Sequence, residues 1–312
     1  MIQTMEMRQV LAQELAAIME KDEKVCVINA DLAKACGLTE LSKHFKDRVL
    51  NAGVAEQNMA SMAAGLSAYG FTPVINTFTP FATRRICDQV AISISYAKRN
   101  VKIIGLDPGI SAQLNGGTHM SVEDIGVLRS IPDLLIFEPV DAIQLKKALP
   151  QLINYDGPVY MRLFRLVAKP VFKEEDHFEL TKVHVLKEGK DVSIFASGIM
   201  VHEAMEAAHE LQKQGVDAEV INIHTIKPID VQAIIESVQK TKAVVTAENH
   251  NVVGGLGCAV CEVLAKNCIA PVEMVGIQDS FGEVGMMDYL SERFELKASN
   301  IIEATQKVLK RK

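Results

Sequence analysis

Short apolar runs rich in β-branched residues alternate with helical patterns along the whole chain, and that rhythm decides the architecture. In the first half the strand candidates are VCVINA (25–30), TPVINTF (72–78), VKIIGLD (101–107), DLLIFEP (133–139) and PVYMRL (158–163). Helical patterns near 4–20, 54–69, 79–98 and 141–153 lie between them. Strands that are apolar at nearly every position are covered on both faces, and helical crossovers keep neighbouring strands parallel. The expected fold class is therefore α/β, with mostly parallel sheets flanked by helices. The second half repeats the rhythm on a smaller scale, with DVSIFASG (191–198), AEVINIH (218–224), KAVVTAEN (242–249) and VEMVGIQD (272–279). Its helices are expected near 200–214, 230–239, 255–267 and 299–310. Between the halves, LVAKPVFKEEDHFELTKVHVLKEGKD (166–191) carries Pro170 and a charged cluster but no clean period. Two domains, 1–166 and 191–312, joined by a linker over 167–190, suit a chain of 312 residues.

Charge and composition exclude several classes. The net charge is −6, with both signs mixed along the chain, so no basic stripe points to nucleic acid. No apolar stretch is long enough for a bilayer, so no membrane partner is expected. The N-terminal MIQTMEMRQVLAQELAAIMEKD reads as an amphipathic helix without a signal-type apolar core. A cytoplasmic location with reduced cysteines is expected. Cys258 and Cys261 form a CxxC inside a helical pattern; no second pair completes a zinc set, so they read as small packing residues and no metal site is expected. Phosphate loops, dinucleotide fingerprints and nucleophile elbows are absent. GGLG (254–257) precedes a helix and could seat an anion, though a tight turn with close packing is favoured.

The chemistry concentrates in three stretches. NAGVAEQN (51–58) opens a helix built largely of Ala, Gly, Ser and Met, with Asn51 expected as its cap and Gly70 as its stop. Glu56 lies in the first turn, on a face continued by Met59, Met62, Ala63, Leu66 and Tyr69. A carboxylate in such apolar surroundings is poorly solvated, which raises its pKa and suits it to proton traffic. TFTPFATRRICDQV (77–90) runs from a strand end into a helix, with Phe78 and Phe81 three apart and able to point the same way. Carboxyl ends of strands are where open α/β sheets bind ligands. LDPGISAQLNGGTHMSVEDIG (106–126), a Gly- and Asn-rich loop with few anchors, delivers His119 before a helix. Taken singly, core packing explains the phenylalanines and an ordinary loop explains the histidine.

Taken in order, NADLA (29–33), NAGVAEQN, GFTPVINTFTPF (70–81), GGTH (116–119), IPDLLIFEPVDA (131–142) and GPVYMRLFR (157–165) resemble the C-terminal half of a transketolase-type, thiamine-pyrophosphate-dependent enzyme. The second half resembles that family's C-terminal domain in SGIMVHEAMEAA, VINIHTIKPID, ENHNVVGGLG and FGEVG. The resemblance covers nearly all of the chain. It implies a pyrimidine-binding domain followed by a C-terminal domain. The family's GDG metal motif, which belongs to the pyrophosphate domain, is missing here. Hence the cofactor and a divalent metal (Mg or Ca) would need a separate N-terminal subunit, in an α2β2 heterotetramer acting on sugars of the pentose phosphate type.

The resemblance also implies roles. Glu56 would hydrogen-bond the pyrimidine ring nitrogen and promote deprotonation of the thiazolium carbon. Phe81 would stack on the pyrimidine, Phe78 would line the same pocket, and Asp31 and Leu32 would lie near the thiazolium. His119 would contact substrate oxygens. Arg8 and Arg165 match two arginines that clamp a terminal phosphate, as suits a bidentate oxyanion. Three positions depart from the family. Ala35 replaces a phosphate-contacting serine, Leu106 a histidine, and Asn115 an aspartate that meets a substrate hydroxyl. The implied activity is transfer of a two-carbon ketol unit from a ketose with an anionic end group, phosphate or sulfonate, to an aldose. Alternatives are the beta subunit of a 2-oxo-acid dehydrogenase decarboxylase, a deoxyxylulose-phosphate-synthase-like enzyme, and a non-catalytic relative. The arginine pair argues against the first, chain length against the second, and Glu56, Phe81 and His119 against the third.

Overall fold

Residues 2–312 are described in this computed structural model. They divide into two units: residues up to Pro108 together with Val127–Leu180, and Gly109–Gly126 together with Thr181–Lys312. In the first unit α1 (Met7–Met19) leads into β1 (Val25–Asn29), then α2 (Thr39–His44), β2 (Val49–Asn51), α3 (Glu56–Ala68) and β3 (Thr72–Phe78). After α4 (Thr79–Ala82) come β4 (Lys102–Leu106), the second half of α5 (Asp124–Arg129), whose first three residues are assigned to the second unit, β5 (Leu135–Phe137), α6 (Ala142–Asn154) and β6 (Val159–Leu163). The six strands order as β5-β6-β4-β3-β1-β2 and every pair is parallel. All residues of β1, β4, β5 and β6 are buried, as unbroken apolar runs require of a sheet covered on both faces.

Helices α1 and α6 supply much of that cover. Met7, Val10, Leu11 and Leu15 join Leu145, Leu149 and Leu152 in one buried cluster with the sheet. Asp141 caps α6 by accepting from the Gln144 amide at 2.8 Å. Its second oxygen accepts from the amides of Val171 and Phe172 at 2.7 Å each, and Phe172 is itself buried. One carboxylate thus caps a helix and docks the segment that follows β6. Within the sheet Arg162 is fully buried and pairs with Glu138 at 2.8 Å, a charge the apolar run PVYMRL conceals.

The helix expected over 79–98 is broken. Thr83 takes φ −127° and ψ −93°, outside any helical region. Its hydroxyl donates to the Thr79 carbonyl, and the Thr79 hydroxyl donates to the Leu106 carbonyl, each at 2.8 Å. Threonine hydroxyls offer the backbone an alternative to the helical ladder. The chain continues as a 3₁₀ turn (Arg84–Ile86) and a π-helical segment (Gln89–Tyr96). Wide turns of this kind recur at functional sites.

The second unit contains β7 (His184–Lys187), β8 (Val192–Ala196), α7 (Met200–Lys213), β9 (Ala218–Asn222), a short β10 (Thr225–Lys227) and α8 (Val231–Thr241). Then follow β11 (Val244–Asn251), α9 (Leu256–Asn267), β12 (Val272–Ile277), α10 (Met287–Arg293) and α11 (Ala298–Leu309). Its sheet orders β12-β11-β8-β9-β7, with only β7 antiparallel to its neighbour. Strand β7 falls within the 167–190 stretch that has no sequence period. Among the described residues no helix is long and apolar enough to cross a membrane.

Candidate functional site

NAGVAEQN is a turn and a helix start, with Asn51 in a role the capping rule did not anticipate. Asn51 is the last residue of β2, and the residue before α3 is Ala55, which offers no side-chain cap. The expected Asn51 cap is therefore corrected. Instead its carbonyl oxygen accepts from the amides of Asp31 and Gly53, both at 2.9 Å, and its amide donates to the Asp31 carboxylate at 3.3 Å. Asn29 complements it, accepting from the Leu32 amide at 3.2 Å and donating to the Leu50 carbonyl at 3.0 Å. Asp31 sits at φ +61°, a left-handed conformation that Asp tolerates. The turn after β1, with Asp31 and Leu32, is thereby clasped to the turn that launches α3. Gly70, at φ +86°, ends the α3 segment as expected.

Glu56 begins α3 and is 5% exposed. It shares its buried stripe with Met59, Ala60, Ala63 and Ala64, which follow the helical spacing. Met62 and Leu66 are half-buried, and Tyr69, expected on this face, is 88% exposed as the C-cap residue. The surroundings are not wholly apolar either, because Arg85 brings its Nη1 to 2.9 Å from Glu56 Oε1. The same guanidinium lies over the Phe81 ring, 3.8 Å from its centroid. Phe81 meets Phe78 edge-on, at 6.4 Å and 69°. Arg85 lies on the 3₁₀ turn that follows the break at Thr83. Arg85 was missed as a site residue; the doubled arginine at 84–85, after TPFAT, was its signal.

A second cluster gathers the arginines. Arg8, on the first turn of α1, donates Nε to Glu6 at 2.7 Å and Nη1 to the Ala35 carbonyl at 2.9 Å. Its amide donates to the Arg165 carbonyl at 3.1 Å. Arg165 places Nε 2.7 Å from Asp107 Oδ2, in contact but misaligned for a directed hydrogen bond, while its amide donates to Oδ1 at 3.3 Å. Its guanidinium also faces Phe78, at 5.4 Å. A cavity of about 460 Å³ is lined by Arg8, Asp31, Leu32, Lys34 and Ala35. Burial raises the Asp107 carboxyl to about 6 against the opposing pull of Arg165 and Arg8. Beside them burial pushes the Cys36 thiol to about 12, which keeps it an inert packing group. Leu106, where the family has histidine, is fully buried in the core cluster.

Asn115 and His119 belong to the second unit. Asn115 is exposed and ends a 3₁₀ segment (Gly109–Asn115); His119 is half-buried, with its Nδ1 2.9 Å from the Thr118 hydroxyl. The loop is well anchored, contrary to the expectation from its composition. Ile110 donates to the Asn249 side chain at 2.9 Å, Gly109 to the Ser121 carbonyl at 2.8 Å, and Met120 is buried. Glycine is required at 109, where φ is +55° and an added Cβ would collide with the Asn249 side chain.

GGLG is not an open anion seat. Glu248, fully buried on β11, accepts from the amides of Leu256 and Gly257 at 2.6 and 2.8 Å, so the N-terminus of α9 already holds a carboxylate. Cys258 and Cys261 are free thiols on α9.

Comparison with known proteins places these features. The family model described as transketolase, pyrimidine binding domain, matches residues 3–169, and that described as transketolase, C-terminal domain, matches residues 181–301. The chain is 51% identical over 293 residues to a 6-deoxy-6-sulfo-D-fructose transketolase subunit of Clostridium sp. (strain MSTE9), covering 94% of this chain and 91% of that one. A solved split-gene transketolase, an inactive β4 tetramer, superposes with a TM-score of 0.91 at 40% identity, covering 98% of this chain and 99% of that one. A 1-deoxy-D-xylulose-5-phosphate synthase of Desulfitobacterium hafniense (strain DSM 10664 / DCB-2) is 34% identical over 309 residues, covering 97% of this chain but 48% of that one.

Proposed function

The chain belongs to the transketolase family, as a subunit of a split thiamine-pyrophosphate-dependent transketolase, and on that premise we propose that it moves a two-carbon ketol unit from a ketose with an anionic end group to an aldose. One observation carries the reading: Glu56 and Phe81 hold a planar, cationic N–H donor between a carboxylate and an aromatic face. The Arg85 guanidinium there is a chemical stand-in for an amidine-like heterocycle. The residues therefore fit an aminopyrimidine.

When bound, thiamine pyrophosphate supplies the electron sink for ketol transfer. This chain's residues supply placement and proton traffic. Glu56 would meet a ring nitrogen and exchange a proton there, which a buried carboxylate at a helix start is suited to do. Phe81 would offer its face and Phe78 would wall the pocket. Asp31 and Leu32, clasped by Asn51 and Asn29, would flank the far ring. Arg8 and Arg165 would orient the donor's anionic end; the support is their convergence on one cluster and the sulfonated donor in the name of the Clostridium relative. For His119 and Asn115, assigned to substrate oxygens, the support is the family pattern alone.

The pyrophosphate and a divalent metal, Mg or Ca, would be held by an N-terminal partner subunit, in an α2β2 heterotetramer in the cytoplasm, in carbohydrate metabolism of the pentose phosphate type. The test is to titrate thiamine pyrophosphate and magnesium into this chain alone and into the reconstituted pair. Cofactor binding and ketol transfer are expected only with the partner. Tight binding by this chain alone would overturn the shared site.

A further inference from the structure

The arginines at the anion end are not free charges. Arg8 is engaged by Glu6 at 2.7 Å and Arg165 by Asp107 at 2.7 Å. Asp107 is 1% exposed, so its charge is poorly screened from its partner. Lys34, a third cation, lines the same cavity and has no carboxylate partner among the described residues; Asp31 lines it as a third carboxylate. Glu6 does a second thing there. Its side chain accepts from the Gln9 backbone in the capping box of α1, so the N-terminus of that helix is already answered by a carboxylate. Two of the three cations are paired, the three carboxylates bring the local formal charge to zero, and the helix pole is closed.

Such a site keeps N–H donors without keeping much net charge. A guanidinium has five N–H groups, and one carboxylate contact leaves several to point at a tetrahedral oxyanion. Compensation of charge is the scarcer quantity. A phosphate monoester carries about −1.5 to −2 near neutral pH, whereas a sulfonate carries a single charge. Beside the buried Asp107 carboxylate, a second negative charge in excess of the local cations is costly. We propose that Glu6 and Asp107 trim the charge of the Arg8–Arg165 pair so that the site selects a singly charged sulfonate end group over the corresponding phosphate. The inference rests on the ketol-transfer reading and adds to it the residues that set donor charge. Glu6 and Asp107 act through the arginines and are positioning residues.

The experiment compares kcat/KM of the reconstituted two-subunit enzyme for 6-deoxy-6-sulfofructose and for fructose 6-phosphate. The wild type is expected to prefer the sulfonate. Glu6→Gln keeps the side-chain shape and removes one counter-charge. It should move the ratio about tenfold toward the phosphate, chiefly through KM. Asp107→Asn should move it the same way, with the Arg165 amide contact retained. Should Asp107→Asn fail to fold, the half-buried Glu6 carries the test, with an unchanged melting temperature as its control. A wild type that prefers the phosphate, or a folded Glu6→Gln enzyme whose ratio stays within twofold, overturns the inference while ketol transfer stands. Absence of ketol transfer from either donor overturns the reading, and this inference falls with it.

Discussion

Arg85 makes a demanding prediction, because it occupies both partners expected for the cofactor ring. Replacing it by alanine removes a 2.9 Å ion pair to a buried carboxylate and a 3.8 Å contact over Phe81. The Arg85 side chain is 45% exposed and that of Glu56 is 6% exposed, so the pair lies between the surface and interior regimes. Exposed pairs contribute about 0.2–1 kcal/mol and breaking a buried pair costs about 3–5 kcal/mol. Discounting for the open arginine and adding about 0.5–1 kcal/mol for the ring contact gives a loss of about 1–3 kcal/mol. For a chain of this size the melting temperature should fall by roughly 2–10 °C. Cofactor binding should move the other way. Seating a heterocycle on Glu56 and Phe81 requires Arg85 to release both, so Arg85→Ala should tighten thiamine pyrophosphate binding to the reconstituted enzyme by about tenfold. Calorimetric titration beside a thermal melt of this subunit reads both quantities. A variant that melts lower and binds the cofactor no better, or worse, refutes the competition between arginine and ring.

Glu56→Gln keeps the shape but not the proton chemistry; turnover should fall by about 10²–10⁴ while the subunit still assembles, and near wild-type turnover would remove Glu56 from the chemistry. Lys102 is buried at the start of β4, where it donates to Asn100 and to the carbonyls of Tyr155 and Gly157 at 2.5, 2.6 and 2.9 Å. Burial lowers its pKa to about 7 from 10.5, with Asp156 pulling the other way, so the unfolded chain holds the extra proton between those values. Stability should therefore rise with pH from about 7 toward 10.5, and Lys102→Met should flatten that rise in denaturant midpoints taken across the range. Phe172→Ala should cost about 3–5 kcal/mol in the same assay, because the segment held by Asp141 is docked by a buried ring.

Most long elements were legible because their periods are local. TPVINTF is β3 residue for residue, and the α6 and α9 patterns lie within two residues of the helices. What escaped depends on contacts distant in sequence. Asn51 looked like a cap beside a helix start, but its partner is Asp31, twenty positions earlier on another turn. Four residues of β7 sit at the sheet edge among charged neighbours, where no apolar run announces a strand. The helix over 79–98 had an acceptable period; it breaks at Thr83, beside two threonine hydroxyls bonded to carbonyls, one of them on β4. In the candidate site Glu56, Phe78, Phe81 and Arg165 lie in ordered motifs that single them out as candidates. The counter-charges are not singled out in this way. Glu6 belongs to no motif, Asp107 is one polar residue of the LDPGIS stretch, and only folding reveals that each faces an arginine.

The Asn51–Asp31 clasp links two tasks that a designer would prefer to adjust separately. The loop from Asp31 to Ala35 borders the cavity beside Arg8, and Glu56 follows five residues after Asn51. Reshaping that loop for a new donor pulls on the same asparagine that fixes the turn leading into Glu56. Substitutions on the two turns should therefore be strongly epistatic, and changes in donor preference should be found more readily at Glu6 or Asp107, which alter charge without moving the clasp.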